Sequence, residues 1–339
     1  MNHSKQLERH PADAWTLPPL FTWRSVLVVA VAFLVLTYTG QRTEMDKMLR
    51  LSGEAVLASV GLADESQVIS GLSKVASAMF PPAISEVTET ARIEHLDRDN
   101  LPAFSRLETE ERVEQRLNPS TLQMETTVER REVLVKPFGY LFHVLAKMLE
   151  TLEIAIWGTV VAVVLSLPLA FFGARNYTLN RFTYGFARST VSLFRAVPEL
   201  ISALFLVLAF GFGPIAGVLA LGIHAAGFLG KFYAEDIENA DDKPQEALRA
   251  IGASRLKVLR AAVIPQVWPQ YIAYTLYILD RNVRMATVVG IVGAGGIGQE
   301  LKGRYDLYNY AHVATILLAI FATVVILDLL SARLRARFI

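Results

Sequence analysis

The most chemically suggestive residues form one short run, VVGIVGAGGIGQE, from Val288 to Glu300. Gly293, Gly295, Gly296 and Gly298 lie within G-A-G-G-I-G, which satisfies the dinucleotide-binding pattern G-x-G-x-x-G. Between a strand and a helix, such glycines let backbone amides close on a pyrophosphate. The flanking residues do not supply that frame. The approach, LDRNVRMATVVGIVG, is charged at Asp280, Arg281 and Arg284, and the exit, QELKGRYDLYNY, makes a poor amphipathic helix. The next apolar run is too long for a strand, and its acid, Asp328, comes near its far end. The glycines fit better as a tight turn at the end of a helix, where they permit positive φ and close backbone packing. A phosphate-binding loop is missing too: Gly230-Lys231 is followed by Phe232 and lacks the upstream glycine. No catalytic residue, metal site or resident cofactor is assigned, and the absence of cysteine removes disulfides and thiolate ligands.

The other groups that could do chemistry lie inside apolar runs, where charge is costly and marks functional candidates. They are Arg195, Glu199, His224, Asp280, Arg281, Asn282, Arg284 and Asp328. Arg195 with Glu199, and Asp280 with Arg284, have the i, i+4 spacing that closes an ion pair on one helix face. That leaves Arg281, Asn282 and His224 without an obvious partner. An unpaired Arg281 beside a water-filled path would favour a passing oxyanion. His224 reads more simply as a satisfied structural histidine, Arg195 with Pro198 as a kink and part of a gate, and Asp328 as a structural group reaching the membrane interface.

These residues must be positioned by membrane-spanning elements. Of the 339 residues 53% are hydrophobic, and the mean hydropathy is +0.37, above what soluble chains of this length show. The excess collects in runs long enough to cross a hydrocarbon core about 30 Å thick: Ser25–Thr39, Leu152–Phe172, Thr190–Phe212, Pro214–Leu229, roughly Val267–Val292, and Ala311–Leu330. Lys and Arg gather in alternate connections (Arg175, Arg181, Arg188; Lys231 to Arg260; Arg333 to Arg337), which gives six spans with both termini cytoplasmic. A cleaved signal sequence is the alternative for the first run, but TYTGQR offers no clean small-x-small site. A net charge of +1 points away from nucleic acid. The organisation is a tail at 1–24, a first span at 25–40, an extracytoplasmic insert with a pre-span helix at 41–150, and a core at 151–335. In the insert, SRLETEERVEQRL has heptad-like charges that read as a solvated helix, and TTVERREVLV reads as a strand. The insert is either a folded cap or a docking surface for a soluble partner.

The most specific stretch is DDKPQEALRAIGASRLKVLRAAVIPQVWPQ, Asp241 to Gln270. Asp241 and Asp242 suit an N-cap region, Pro244 a first turn, and Gly252 a left-handed C-terminal cap. Ser254 can cap a second helix that Pro265 stops. Two short helices hinged at a glycine make a knob whose small face, Ala247, Ala250 and Ala253, suits insertion into a partner's groove.

EALRAIG followed at fixed spacing by IP resembles the EAA loop of ATP-binding-cassette importer permeases, at Glu246, Ala247, Gly252, Ile264 and Pro265. TLEIAIWGT, RAVPEL, GKFYAEDIENAD, PQVWPQ, DRNVRMATVVGIVGAGGIGQEL and the closing ILD look like the phosphonate-transport branch, over roughly Lys136 to Asp328. Methionine-type permeases carry a similar glycine turn. The resemblance implies an all-α polytopic membrane protein of the bacterial inner membrane with the type I permease core. It implies a coupling role for Glu246, Ala247, Ala250, Gly252, Ile264 and Pro265, and a path or gate at Arg195, Glu199, His224, Arg281, Asn282 and Arg284. The glycines Gly293, Gly295, Gly296 and Gly298 would serve gating. Implied partners are two ATPase subunits holding ATP and Mg, a second permease chain forming a homodimer, an extracytoplasmic solute-binding protein and membrane lipid. The expected cargo is a phosphorus oxyanion. The rivals are another solute such as methionine, or a membrane sensor with a ligand-binding ectodomain.

Overall fold

The computed structural model describes residues 22–61, 66–93, 97–98, 101–117 and 124–338, so most of the expected amino-terminal tail lies outside it. By contacts the chain divides into two units, Met1–Ala76 and Ser77–Ile339. The first contains α1 (Trp23–Arg42), α2 (Met45–Ser59) and most of α3 (Gln67–Met79). Thr22 caps α1, its hydroxyl accepting from the Ser25 amide, and no residue of α1 is buried within the chain.

The second unit begins with an antiparallel sheet, β1 (Glu86–Glu89), β2 (Arg106–Leu117) and β3 (Met124–Lys136), in the order β1-β3-β2. β2 corrects the expected helix. Leu107, Thr109, Glu111 and Val113 alternate with Arg106, Glu108, Glu110 and Arg112, and this period of two is a strand pattern beneath the heptad-like charges. The register sets Glu110 opposite Arg131 and Glu111 opposite Arg130. Arg130 reaches Glu111 at 2.8 Å, and opposite charges across a ladder add roughly 0.2–1 kcal/mol each. The expected strand at TTVERREVLV is β3, whose Val133, Leu134 and Val135 are buried.

The helical core follows: α4 (Gly139–Gly173), α5 (Arg181–Ala196), α6 (Glu199–Phe210), α7 (Pro214–Asn239), α8 (Asp242–Ala250), α9 (Arg255–Val258), α10 (Ile264–Gly290), α11 (Gly296–Asp306) and α12 (Tyr310–Phe338). α4 and α7 form its centre through small side chains: Ala155, Ala162, Ala220, Ala225 and Ala226 are buried. A Cβ on Gly222 would fall 2.7 Å from Val161, so that close approach requires glycine. Among the described residues four helices are long and apolar enough to cross a membrane (α1, α4, α7 and α12), and α5 with α6 makes a fifth if that bent pair counts as one span. α10 is long enough at 27 residues, but its charged centre sets it apart from these.

Two ends of the core are fixed by hydrogen bonds. At one, Arg188 of α5 reaches Glu238 of α7 at 2.9 Å, and Glu238 also accepts from the Arg175 amide at 2.8 Å. At the other, the Gly213 amide donates to the Gly293 carbonyl at 3.0 Å. From Thr151 to Gly173, α4 rises about 33 Å between them, close to the depth of a hydrocarbon layer.

Candidate functional site

Three structures stand out along the core: the knob at one end, the glycine turn at the other, and a charged cluster between them.

In the knob, Asp241 caps α8, its carboxylate accepting from the Lys243 amide at 3.1 Å, and Gly252 ends it at φ 84°. The Ala253 amide then returns to the Leu248 carbonyl at 3.0 Å. Gln245, which sequence reasoning passed over, anchors the knob: its side chain is buried, donates to the Ala240 and Asp241 carbonyls, and accepts from the Tyr177 hydroxyl at 3.1 Å. Nothing in its type signalled this, because the burial is supplied by the distant α4–α5 connection. Glu246, Ala247 and Ala250 are exposed, and Ile251 is 79% exposed at the tip. A cavity of about 590 Å³ lies beside them, lined by Leu248, Ile251, Gly252, Ala253, Lys257 and Arg260 among others. Pro265 does not stop the helix as expected. A π turn at Leu259–Val263 joins α9 to α10 without a break, and Pro265, the second residue of α10, follows directly on that widened turn. Ser254 holds the N-cap position of α9 without a side-chain hydrogen bond.

In the glycine turn, Gly293, Gly295 and Gly296 have φ of 96°, 86° and 71°. The opening amides of α11 are already taken: Glu150 accepts from the Gly296 amide at 2.9 Å and Thr151 from the Ile297 amide at 2.8 Å. A dinucleotide would need those donors for its pyrophosphate, so the letter match has no room for one. The TLEIAIWGT stretch contained Thr151, but neither it nor Glu150 could be read as a cap from spacing alone. Further along α11, Glu300 accepts from Arg304 at 2.8 Å and lies 3.4 Å from His143 of α4. Burial pushes the Glu300 carboxyl up, but Arg304 and His143 outweigh it and hold it below its ordinary range.

The central cluster departs most from expectation. A 90° bend separates α5 from α6, so Arg195 and Glu199 do not share a helix face and do not pair. Glu199, in the first turn of α6, is 8% exposed and hydrogen-bonds to Arg281 of α10. His224 of α7 completes the group: its Nε2 lies 3.1 Å from Glu199 and 3.2 Å from Arg281, and its Nδ1 lies 2.9 Å from the Val197 carbonyl. Arg281, expected to be free, is thus partnered. Phe228, one turn beyond His224, has the Arg281 guanidinium 4.9 Å and that of Arg195 5.1 Å from its ring centroid. The Arg195 Nε is buried and finds no acceptor among the described residues. Asn282 donates to the Thr159 hydroxyl at 2.9 Å, tying α10 to α4. Asp280 and Arg284 pair as expected at 2.6 Å, and Arg284 also reaches Asp328 at 3.3 Å. Asp328 therefore sits level with this charged layer, not at the end of its helix.

Long helices packed through small residues, with ionic groups held between them, define a polytopic membrane scaffold. The profile of the family described as binding-protein-dependent transport system inner membrane component matches residues 143–339, and the chain belongs to that family. It is a permease component of a transport system. HtxE of Stutzerimonas stutzeri, whose name carries a provisional assignment to phosphite transport, is 63% identical over 77% of this chain and 100% of its own length. The phosphite transport system permease protein PtxC of the same organism is 48% identical over 56% of this chain and 70% of its own. An inward-facing methionine ABC transporter structure shares the fold, with a TM-score of 0.53 at 21% identity over 59% of this chain and 97% of that one.

Proposed function

We propose that this chain is the translocating subunit of an ATP-driven importer for small phosphorus oxyanions such as phosphite or phosphonate. What carries the reading is its similarity to phosphite-transport permeases over most of its core. The methionine alternative rests on relatives only 24% identical. α1, α4, the α5–α6 pair, α7, α10 and α12 form six spans, with both termini and the knob cytoplasmic. The glycine turn and residues 41–150 face outward, where the sheet meets a solute-binding protein. Two such chains pair, each knob seated in one ATPase subunit through Glu246, Ala247, Ala250 and Gly252, with Ile264 and Pro265 passing the motion to α10. Arg195, Glu199, His224, Arg281, Asn282 and Arg284 line the path or its gate, and Gly293, Gly295, Gly296 and Gly298 let the outer turn move.

The test is uptake of phosphite, methylphosphonate and methionine by vesicles holding the chain with its cognate ATPase and receptor. Oxyanion uptake that requires ATP supports the reading, and methionine uptake alone would replace it. In the same vesicles Arg281→Ala should cut oxyanion uptake by about tenfold or more, the scale of a lost charge-assisted hydrogen bond. Unchanged uptake would take Arg281 off the path.

A further inference from the structure

The central cluster has more positive charge than it neutralises. Two guanidiniums, Arg195 and Arg281, flank Phe228, but among the described residues a single carboxylate, Glu199, is recorded with them, bonded to Arg281 and His224. Arg195 is left with a buried Nε lacking an acceptor among the described residues. A cation held among apolar helices draws an anion to it. Glu199 also sits in the first turn of α6, where the helix dipole adds positive potential. Arg281, Arg195 and a helix terminus thus form an anion site in which one tenant, a side-chain carboxylate, is already present.

From this geometry we infer that Glu199 is a built-in surrogate for the transported oxyanion: it occupies Arg281 in the absence of cargo, and the oxyanion displaces it, bridging Arg281 and Arg195. A carboxylate and a phosphorus oxyanion offer a guanidinium the same fork of two acceptor oxygens, so one can replace the other. Displacement has a mechanical route. Glu199 follows the 90° break at Val197–Pro198, so turning α6 about that break withdraws the carboxylate while α7 and α10 stay packed. This inference rests on the oxyanion reading above and adds that the site is self-occupied.

The test uses the permease–ATPase complex in nanodiscs without its receptor, titrated with inorganic phosphite, and measures phosphite uptake by the wild-type complex with its receptor in parallel. The wild type should bind phosphite weakly, Glu199→Gln at least about tenfold more tightly because the competing charge is gone, and Glu199→Gln with Arg195→Gln should lose that gain. If Glu199→Gln does not fold, Glu199→Asp, which withdraws the charge by one methylene, should give a smaller gain of the same sign. Wild-type uptake combined with no gain in either variant overturns the surrogate role and leaves the transport reading standing. An absence of wild-type phosphite uptake overturns the transport reading itself.

Discussion

Gly298 shows what a single position can demand. A Cβ there would lie 2.0 Å from the Thr287 carbonyl oxygen, a backbone atom that cannot swing aside. Gly298→Ala should therefore destabilise the folded chain by roughly 1–3 kcal/mol or more, the range for overpacking. The measurement is thermal unfolding in detergent, and an unchanged midpoint would mean the turn is looser than its geometry states. Gln245 makes the opposite demand, for a partner. Gln245→Ala leaves the Tyr177 hydroxyl and two carbonyls without it, at about 1–3 kcal/mol locally. Protease cleavage at 241–253 should speed up while the rest of the chain stays resistant.

Elements were unevenly legible in the sequence. The apolar runs marked the existence of α1, α4, α7 and α12, because the need to span a bilayer leaves a one-dimensional signature, but α4 starts 13 residues before its run and α7 and α12 continue 10 and 8 residues past theirs. The knob was legible for a similar reason: Asp241 and Gly252 perform local backbone tasks that need no distant partner. β2 was misread, since charges every few residues satisfy a heptad as easily as an alternation until the pairing with β3 decides. The Arg195–Glu199 pairing failed because spacing along a sequence presumes one unbroken helix, and Pro198 removes it. Glu150 caps α11, and Phe228 meets the two guanidiniums, across tertiary contacts that no run of letters marks. At this scale α11 is tied to α4 through Glu300. Because its carboxyl is held below the ordinary value, the tie contributes stability above the unfolded pKa and loses it as pH falls through the folded one. Wild-type chain should thus lose more thermal stability on acidification through this window than Glu300→Gln; parallel curves would show that the tie contributes nothing.

For the whole molecule, the decisive question is whether the knob serves as the point of attachment to the ATPase. Glu246→Lys reverses an exposed charge, and Gly252→Asp places a branched residue at φ 84°. Both should still insert into the membrane but lose ATP-dependent uptake and cargo-stimulated hydrolysis, read in vesicles with the full complex. Normal uptake in both would remove the knob from the drive train. The π turn keeps this connection helical, and with Pro269 it marks where the path can bend. From Arg255 to Gly290 the backbone is helical throughout, and the turn at 251–254 separates it from α8, which carries Glu246, Ala247 and Ala250. Arg281 lies about 25 Å along this path from Ile264, so a tilt of α10 at its knob end should shift the charged cluster, less whatever the bend at Pro269 takes up. On the proposed reading, the push of an ATPase and the hold on an oxyanion would be two stations on one helical line.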